Sequence, residues 1–421
     1  MLDADRRVVA LAIARASDAF ANSFLIVVLP LYLASGVIEG KLLGLGGAAA
    51  IGLVLGLVGF VHSSLQPLVG RASDALGRRQ VFVLAGLGLL AVANLAYAWT
   101  STFPEVLAVR VLQGVALALA IPTTIALVSE FSTVGTRGES MGLYNSFRLA
   151  GYGVGPIVAG TVVHAGPYTI PGPVGALTGY QAAFACAAAS ALAGLLVVGL
   201  LVRDPAHLEA STDGIELPRV TGSGNRWLDP VFALAVCTFF AAISISLIAS
   251  IENEINARLG QTAIWFGIQF SAFLIPHVLL QTPIGRWSDR AGRLPFVAAG
   301  LALAVPATLA QGFVTEPWHL LAARLGQGFA TALFFSPGLA LAGDLARETA
   351  TGADMSLLTT AFGLGVATGP IAAGFLVGFG FAVPFAVGAT LCALATGLAL
   401  TQIPETVVAE TRSGSAVAES A

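Results

Sequence analysis

Charge is what this 421-residue chain lacks. Only 10% of its residues are Asp, Glu, Lys or Arg, where a soluble globular chain carries about a quarter. With 56% hydrophobic residues, a water-soluble fold of this size would run short of polar residues for its surface. The medium around the chain is therefore largely lipid. Three cysteines, Cys186, Cys237 and Cys392, stand far apart inside apolar runs, which argues against a disulfide framework, a redox pair or a thiolate metal site. No glycine-rich phosphate loop, nucleotide fingerprint, metal-ligand cluster or Ser-His-Asp order stands out, so neither an enzyme nor an ATP-driven machine is indicated, and no cofactor or metal is expected. A net charge of −3 without any basic tract gives no sign of a nucleic-acid partner.

What the chain has instead is long apolar runs and a mean hydropathy of +0.86. A helix needs about 20 apolar residues to cross roughly 30 Å of hydrocarbon. On that measure the sequence divides into twelve spans, near 8–34, 45–69, 80–100, 104–128, 139–165, 179–202, 228–251, 263–285, 295–314, 317–342, 354–379 and 381–402. The expected fold is all-α. The acidic and basic start, MLDADRR, leads into the first span without a small-residue cleavage site, and reads as part of a retained helix. Of the 20 Lys and Arg residues, Arg15, Arg110, Arg148 and Arg324 lie inside spans, and Lys41 and Arg258 in odd-numbered loops. The remaining fourteen lie in the even-numbered loops and at the two ends. That bias predicts cytoplasmic termini on a multi-pass protein of the inner or plasma membrane.

The two halves of the sequence answer each other at an offset of about 214 residues. GRASDALGRR, Gly70 to Arg79, returns as GRWSDRAGRL, Gly285 to Leu294. LAVRVLQG at 107–114 returns as LAARLGQG at 321–328, His62 meets His277, Glu130 meets Asp344, and Gly155-Pro156 meets Gly369-Pro370. Such a series predicts two six-helix bundles, 1–202 and 228–403, joined by a cytoplasmic linker, 203–227, and followed by a tail, 404–421. A site is expected at mid-membrane between them.

Twelve spans in two six-span repeats, with G-x-x-x-D-x-x-G-R-R between spans two and three, resemble the major facilitator superfamily. The loop motif is carried by Gly70, Asp74, Gly77, Arg78 and Arg79, and its second copy by Gly285, Asp289, Gly292 and Arg293. Ala72 and Ala75 depart from the family's usual apolar and basic residues, and Leu294 stands where a second basic residue would complete the second copy. Arg110-x-x-Gln113-Gly114 in span four resembles a second family motif. Gly151, Gly155, Pro156 and Gly160 in span five resemble a third, which the family associates with proton antiporters, although Ala159 replaces one glycine of the fuller form. The resemblance implies alternating access, with Arg110 tuning a proton-coupling acid. It also implies that Asp74 meets the start of span eleven while Arg78 pairs with Glu130, latching the inner face.

Ionisable groups inside a membrane are costly and mark functional candidates. Asp18 in span one is the candidate for the coupling proton; the alternative is a structural ion pair with Arg15, Arg148 or Arg110. Arg110 is a proton-coupling residue by resemblance, or else a helix-end anchor reaching for the interface. Arg324, its mate in span ten, must also find an anion, a dipole or water. Asn145, Arg148 and Tyr152 share one helix face, and with Asn22, His62, Gln113, Tyr144, His277, Arg324 and Gln327 make up the expected cavity lining. A histidine titrates near physiological pH and could carry protons, but as repeat mates His62 and His277 read rather as packing. Glu252 and Glu254, at the outer end of span seven, read as gate residues or, in the preferred reading, as solvated helix-end carboxylates. The function expected is a proton-coupled exporter of small, largely apolar compounds, working as a monomer in the bilayer. The alternatives are an uptake symporter or facilitator for a small organic anion, with Arg148 and Arg110 as ligands, and a receptor or scaffold that has kept the fold.

Overall fold

The computed structural model describes residues 5–40, 42, 44–132, 136–170, 175–205, 220–222, 226–346 and 351–406, with backbone alone at 137, 170, 175 and 351–355. Six long helices make up the first half: α1 (Arg6–Ala34), α2 (Gly47–Leu76), α3 (Arg79–Ala96), α4 (Phe103–Glu130), α5 (Arg137–Ala165) and α6 (Gly179–Leu201). The second half holds α7 (Pro230–Ser246), α8 (Glu252–Leu259), α9 (Ala263–Ala272), α10 (Leu274–Ala291), α11 (Arg293–Gln311), α12 (Pro317–Leu345), α13 (Thr351–Leu376) and α14 (Val383–Gln402). One small hairpin, β1 (Tyr168–Ile170) with β2 (Gly175–Leu177), qualifies the all-α expectation. Most of the expected linker, and the tail beyond Thr406, lie outside the described residues.

Eleven helices among the described residues are long and apolar enough to cross a membrane. The twelfth expected span is α5. Its 29 residues are long enough, but its first turns, RGESMGLYNSFR, are too polar for it to count with the others. Local chemistry sets the helix ends. Asp5 accepts the Arg7 N–H at 2.8 Å at the start of α1. Glu105 reaches back to the N–H groups of Ser101 and Thr102 at the start of α4. Asp229 caps α7 with Pro230 at its first position. Each satisfies donors that the first turn leaves free. Span eight is one crossing, Ala263–Ala291, as expected; α9 passes into α10 at Phe273 with helical dihedrals, φ −54° and ψ −36°. Pro276 explains the local loss of hydrogen bonding there, since it offers no N–H to the carbonyl of Ala272 four residues earlier.

The distribution of packed cores defines the shape. Near the faces that carry the start of α1 and the end of α14, each half has its own core. Val8, Leu11, Val83, Leu127 and Val202 form one, and Leu234, Val297, Leu341 and Ala399 the other. On the opposite side a single core runs through both halves, joining Leu29, Ile51 and Phe184 to Ile248, Ile255, Phe266 and Ala373. The molecule is thus sealed on the side away from those helix ends, here termed outer, and its halves are separately packed on the side of the helix ends, here termed inner. Two helix pairs make the seal. A Cβ placed on Gly52 of α2 would lie 2.3 Å from the Pro370 carbonyl of α13, and one on Gly160 of α5 would lie 2.6 Å from the Ala263 carbonyl of α9. Only glycine lets these backbones meet.

Candidate functional site

Asp18 sits midway along α1, 3% exposed. Its Oδ1 accepts from Arg15 Nη1 at 2.6 Å, one turn earlier. Arg148 on α5 and the Tyr144 ring stand within electrostatic reach of the same pair. The Arg15 partner was one of the alternatives the sequence left open for Asp18. An ion pair inside a membrane remains switchable, because protonating the carboxylate releases the arginine.

Arg148 donates its Nε to Asn145 Oδ1 at 2.9 Å, so the shared face of α5 does form. Tyr152 continues that face toward the second half. It lies against Phe270 at 6.1 Å between ring centroids and within reach of both Arg148 and Arg324. Asn22 is half-buried on α1, one turn beyond Asp18. His62 faces Arg15 with its Nε2 unpartnered; His277 faces Arg148 with its Nδ1 unpartnered. His277 also stacks on Phe273 at 6.0 Å and meets the edge of Phe335 at 5.7 Å. The Tyr144 hydroxyl is likewise buried without a partner. One cluster thus draws on α1, α2, α5 and the α9–α10 junction. Among the described residues it carries four open polar atoms: Arg15 Nε, His62 Nε2, His277 Nδ1 and the Tyr144 hydroxyl.

Arg110 does not belong to it. It is 2% exposed, which overturns the reading of a side chain reaching for the interface. Its Nε donates to Val54 O at 2.9 Å and its Nη1 to Gln113 Oε1 at 2.9 Å. Gln113 also accepts from Tyr97 Oη at 2.7 Å and donates to Asn94 Oδ1 at 2.6 Å. The described partners of Asp18 are Arg15 and Arg148, so the structure does not bring Arg110 to it. The second half repeats the network: Arg324 Nη1 donates to Gln327 Oε1 at 2.5 Å and to Ile245 O at 3.2 Å. Gln327 in turn donates to the Thr308 hydroxyl at 3.1 Å. The copies differ in one respect. Arg324 leaves its Nε unpartnered and lies over the rings of Phe273, at 4.9 Å, and Phe270, at 5.6 Å. Arg324 therefore borders the cluster, while Gln113 and Gln327 work within their own halves.

At the inner ends the motif residues pair differently from the expectation. Arg79, not Arg78, bridges Asp74, at 2.7 Å, and Glu130. In the second copy Arg293 bridges Asp289, at 3.3 Å, and Asp344. Gly77 ends α2 in the left-handed region at φ +60°, and Gly292 ends α10 at φ +101°. Gly70 and Gly285 lie within α2 and α10. The start of span eleven, expected to receive Asp74, falls among side chains outside the described residues. The span-five motif is a packing strip with two faces. Gly151 and Gly155 abut α1, where Cβ atoms would lie 2.2 Å from Ala16 O and 2.2 Å from Ser23 Oγ. The Pro156 carbonyl and Gly160 abut α9. The whole motif recurs as Gly365, Gly369, Pro370 and Gly374, of which the sequence reading caught only Gly369-Pro370. The first two glycines abut α7, and Pro370 and Gly374 abut α2. Sequence reasoning also left Arg15 outside the expected site, although its spacing from Asp18 was signal enough.

The Major Facilitator Superfamily model matches residues 11–251 and again 234–419. An uncharacterized MFS-type transporter of Methanocaldococcus jannaschii is 28% identical over 156 residues, 37% of this chain and 40% of that protein. Multidrug resistance protein 2 of Bacillus subtilis is 24% identical over 183 residues, 43% of this chain and 46% of that protein. In each case the chain spans less than half the length of the relative it matches. A bacterial homolog to the human lysosomal transporter Spinster, in an inward-facing and occupied conformation, has the same fold. Its TM-score is 0.74 at 13% identity, over 93% of this chain and 95% of that one.

Proposed function

The chain belongs to the Major Facilitator Superfamily, a multi-pass membrane transporter and not an enzyme, and from that premise we propose that it couples proton movement to export of small, largely apolar compounds. The observation that carries this reading is the buried Arg15–Asp18 pair, facing Arg148 where the inner opening meets the outer seal. Asp18 takes a proton from one side and gives it to the other as the halves, 1–202 and 228–403, rock about the cluster. The loss of its charge frees Arg15. Phe270, Phe273 and Phe335 supply the apolar wall. The name of the Bacillus subtilis relative supports export, and the bias of fourteen basic residues supports cytoplasmic termini in the plasma or inner membrane.

A second reading draws on the charge count. Arg15, Arg148 and Arg324 stand at the cluster against the single acid Asp18. That surplus repels lipophilic cations and favours a substrate carrying a carboxylate, which fits uptake of an organic anion. Proteoliposomes with a fixed pH gradient and a trapped pH dye separate the two. Neutral apolar compounds are expected to drive proton flux that disappears in Asp18→Asn. If carboxylates alone move protons, the anion reading replaces export. Proton flux that survives Asp18→Asn would remove Asp18 from the coupling step.

A further inference from the structure

Glu252 begins α8, just past the outer end of span seven. A carboxylate at a helix end beside the membrane surface ordinarily faces water. Here it is 0% exposed, and neither carboxyl oxygen has a hydrogen-bond partner among the described residues. The burial comes from the outer seal. Ile251 and Ile255 on either side belong to the core shared by the two halves. Asn253 donates to Pro30 O of α1 at 3.0 Å, tying α8 across the boundary. Ser250 donates to Pro370 O of α13 at 2.7 Å, the same carbonyl that seats Gly52 of α2. Glu252 is therefore enclosed by the contacts that part when the outer side opens.

Few groups nearby offset a charge on it. From α6 the Tyr180 phenol faces it and donates to Leu31 O at 3.3 Å. On α8 itself Asn256 lies close without forming a hydrogen bond by geometry, and its Oδ1 accepts from Gln261. Arg258, the cation of α8, turns away to Val314 O and the Phe381 ring. Glu254 is a second, half-buried acid on the same helix, with its Oε2 buried and unpartnered among the described residues. The outer halves of α1, α2, α9 and α13 present no charged residue to this point. A bare carboxylate here would be desolvated without compensation.

We propose that Glu252 is a proton-binding site of the outer seal, occupied while the seal is closed and exchanging with the outside only when it opens. The inference rests on alternating access but not on the coupling role of Asp18. Burial raises the Glu252 carboxyl well above the usual carboxylate range, so closing takes up a proton that the open, hydrated state has released. Over that interval the closed-to-open ratio falls about tenfold per pH unit as the outside becomes more alkaline.

Spin labels at Val37→Cys and Phe379→Cys, exposed positions at the outer ends of the two halves, read the seal by double electron–electron resonance in nanodiscs. The background has the native cysteines replaced by serine. From pH 5 to 9 the separated population is expected to grow in the parent protein and to stay low and flat in Glu252→Gln. Glu252→Asp keeps a titrating carboxyl and is expected to keep the pH response. The response is also expected to persist in Asp18→Asn, which separates this proposal from the coupling reading. A parent protein insensitive to pH, a Glu252→Gln profile matching the parent, or a response lost in Asp18→Asn alone would each overturn it.

Discussion

One residue of register separates the expected inner latch from the observed one. Counting from the glycine, Arg78 is the mate of Arg293; counting from the helix start, Arg79 is. The structure follows the second count, because Gly77 ends α2 and Arg78 stays outside the helix, whereas Gly292 both ends α10 and precedes α11 directly. The extra residue is a turn position, which no apolar periodicity marks. Arg79 holds two carboxylates, and partly exposed ion pairs contribute about 0.2–1 kcal/mol each. Arg78 has no ion pair among the described residues. Arg79→Ala is therefore expected to cost about 1 kcal/mol, seen as a lowered melting temperature in detergent, while Arg78→Ala stays within about 0.5 kcal/mol. Equal losses would restore Arg78 as a partner. The burial of Glu252, against the preferred reading of a solvated carboxylate, was hidden for a related reason. Its neighbours in sequence mark a helix end, and what buries it is α1 and α13, more than a hundred residues away in either direction.

Among the elements, α5 and α13 do the same work in their respective halves. Each carries G-x-x-x-G-P-x-x-x-G, and each presents two glycines to the first helix of its own half and the proline carbonyl and third glycine to the other half. The inner and outer roles of one motif were not separable in sequence, because both faces ask for the same small residue. The Gly-Pro pair of the repeated motif was legible, and so were eleven of the twelve spans by apolar length; α5 was legible by length and by its place in the repeat. The local loss of hydrogen bonding in span eight is marked by Pro276, a residue common in membrane helices. The two faces predict two phenotypes. Gly151→Leu and Gly365→Leu overpack a half internally, which typically costs 1–3 kcal/mol, and are expected to lower the melting temperature. Gly160→Leu and Gly374→Leu wedge the seal and are expected to lengthen the Val37–Phe379 label distance with a smaller change in melting temperature. If all four behave alike, the seams carry no distinction between folding and gating.

For the whole molecule, the core that spans both halves on one side and the paired cores on the other describe one end state of a two-state device. The cluster around Asp18 lies where those two regimes meet, so its access depends on which end is sealed. Pseudo-symmetry says how the other state is made. Leu149 of α5 packs with Phe273 and Leu274 of the other half, and rocking about the cluster would bring the inner stretches of α5 and α10 together as α5 leaves α9 and α2 leaves α13. Gly142 and Arg286 are exposed on those inner stretches and accept labels. In Gly160→Leu the outer Val37–Phe379 distance is expected to lengthen and the inner Gly142–Arg286 distance to shorten, in the same fraction of molecules. Equal fractions are the signature of rigid halves exchanging one seal for the other. If both distances lengthen together, the wedge has pulled the halves apart, and the outer seams hold the protein together without belonging to its transport cycle.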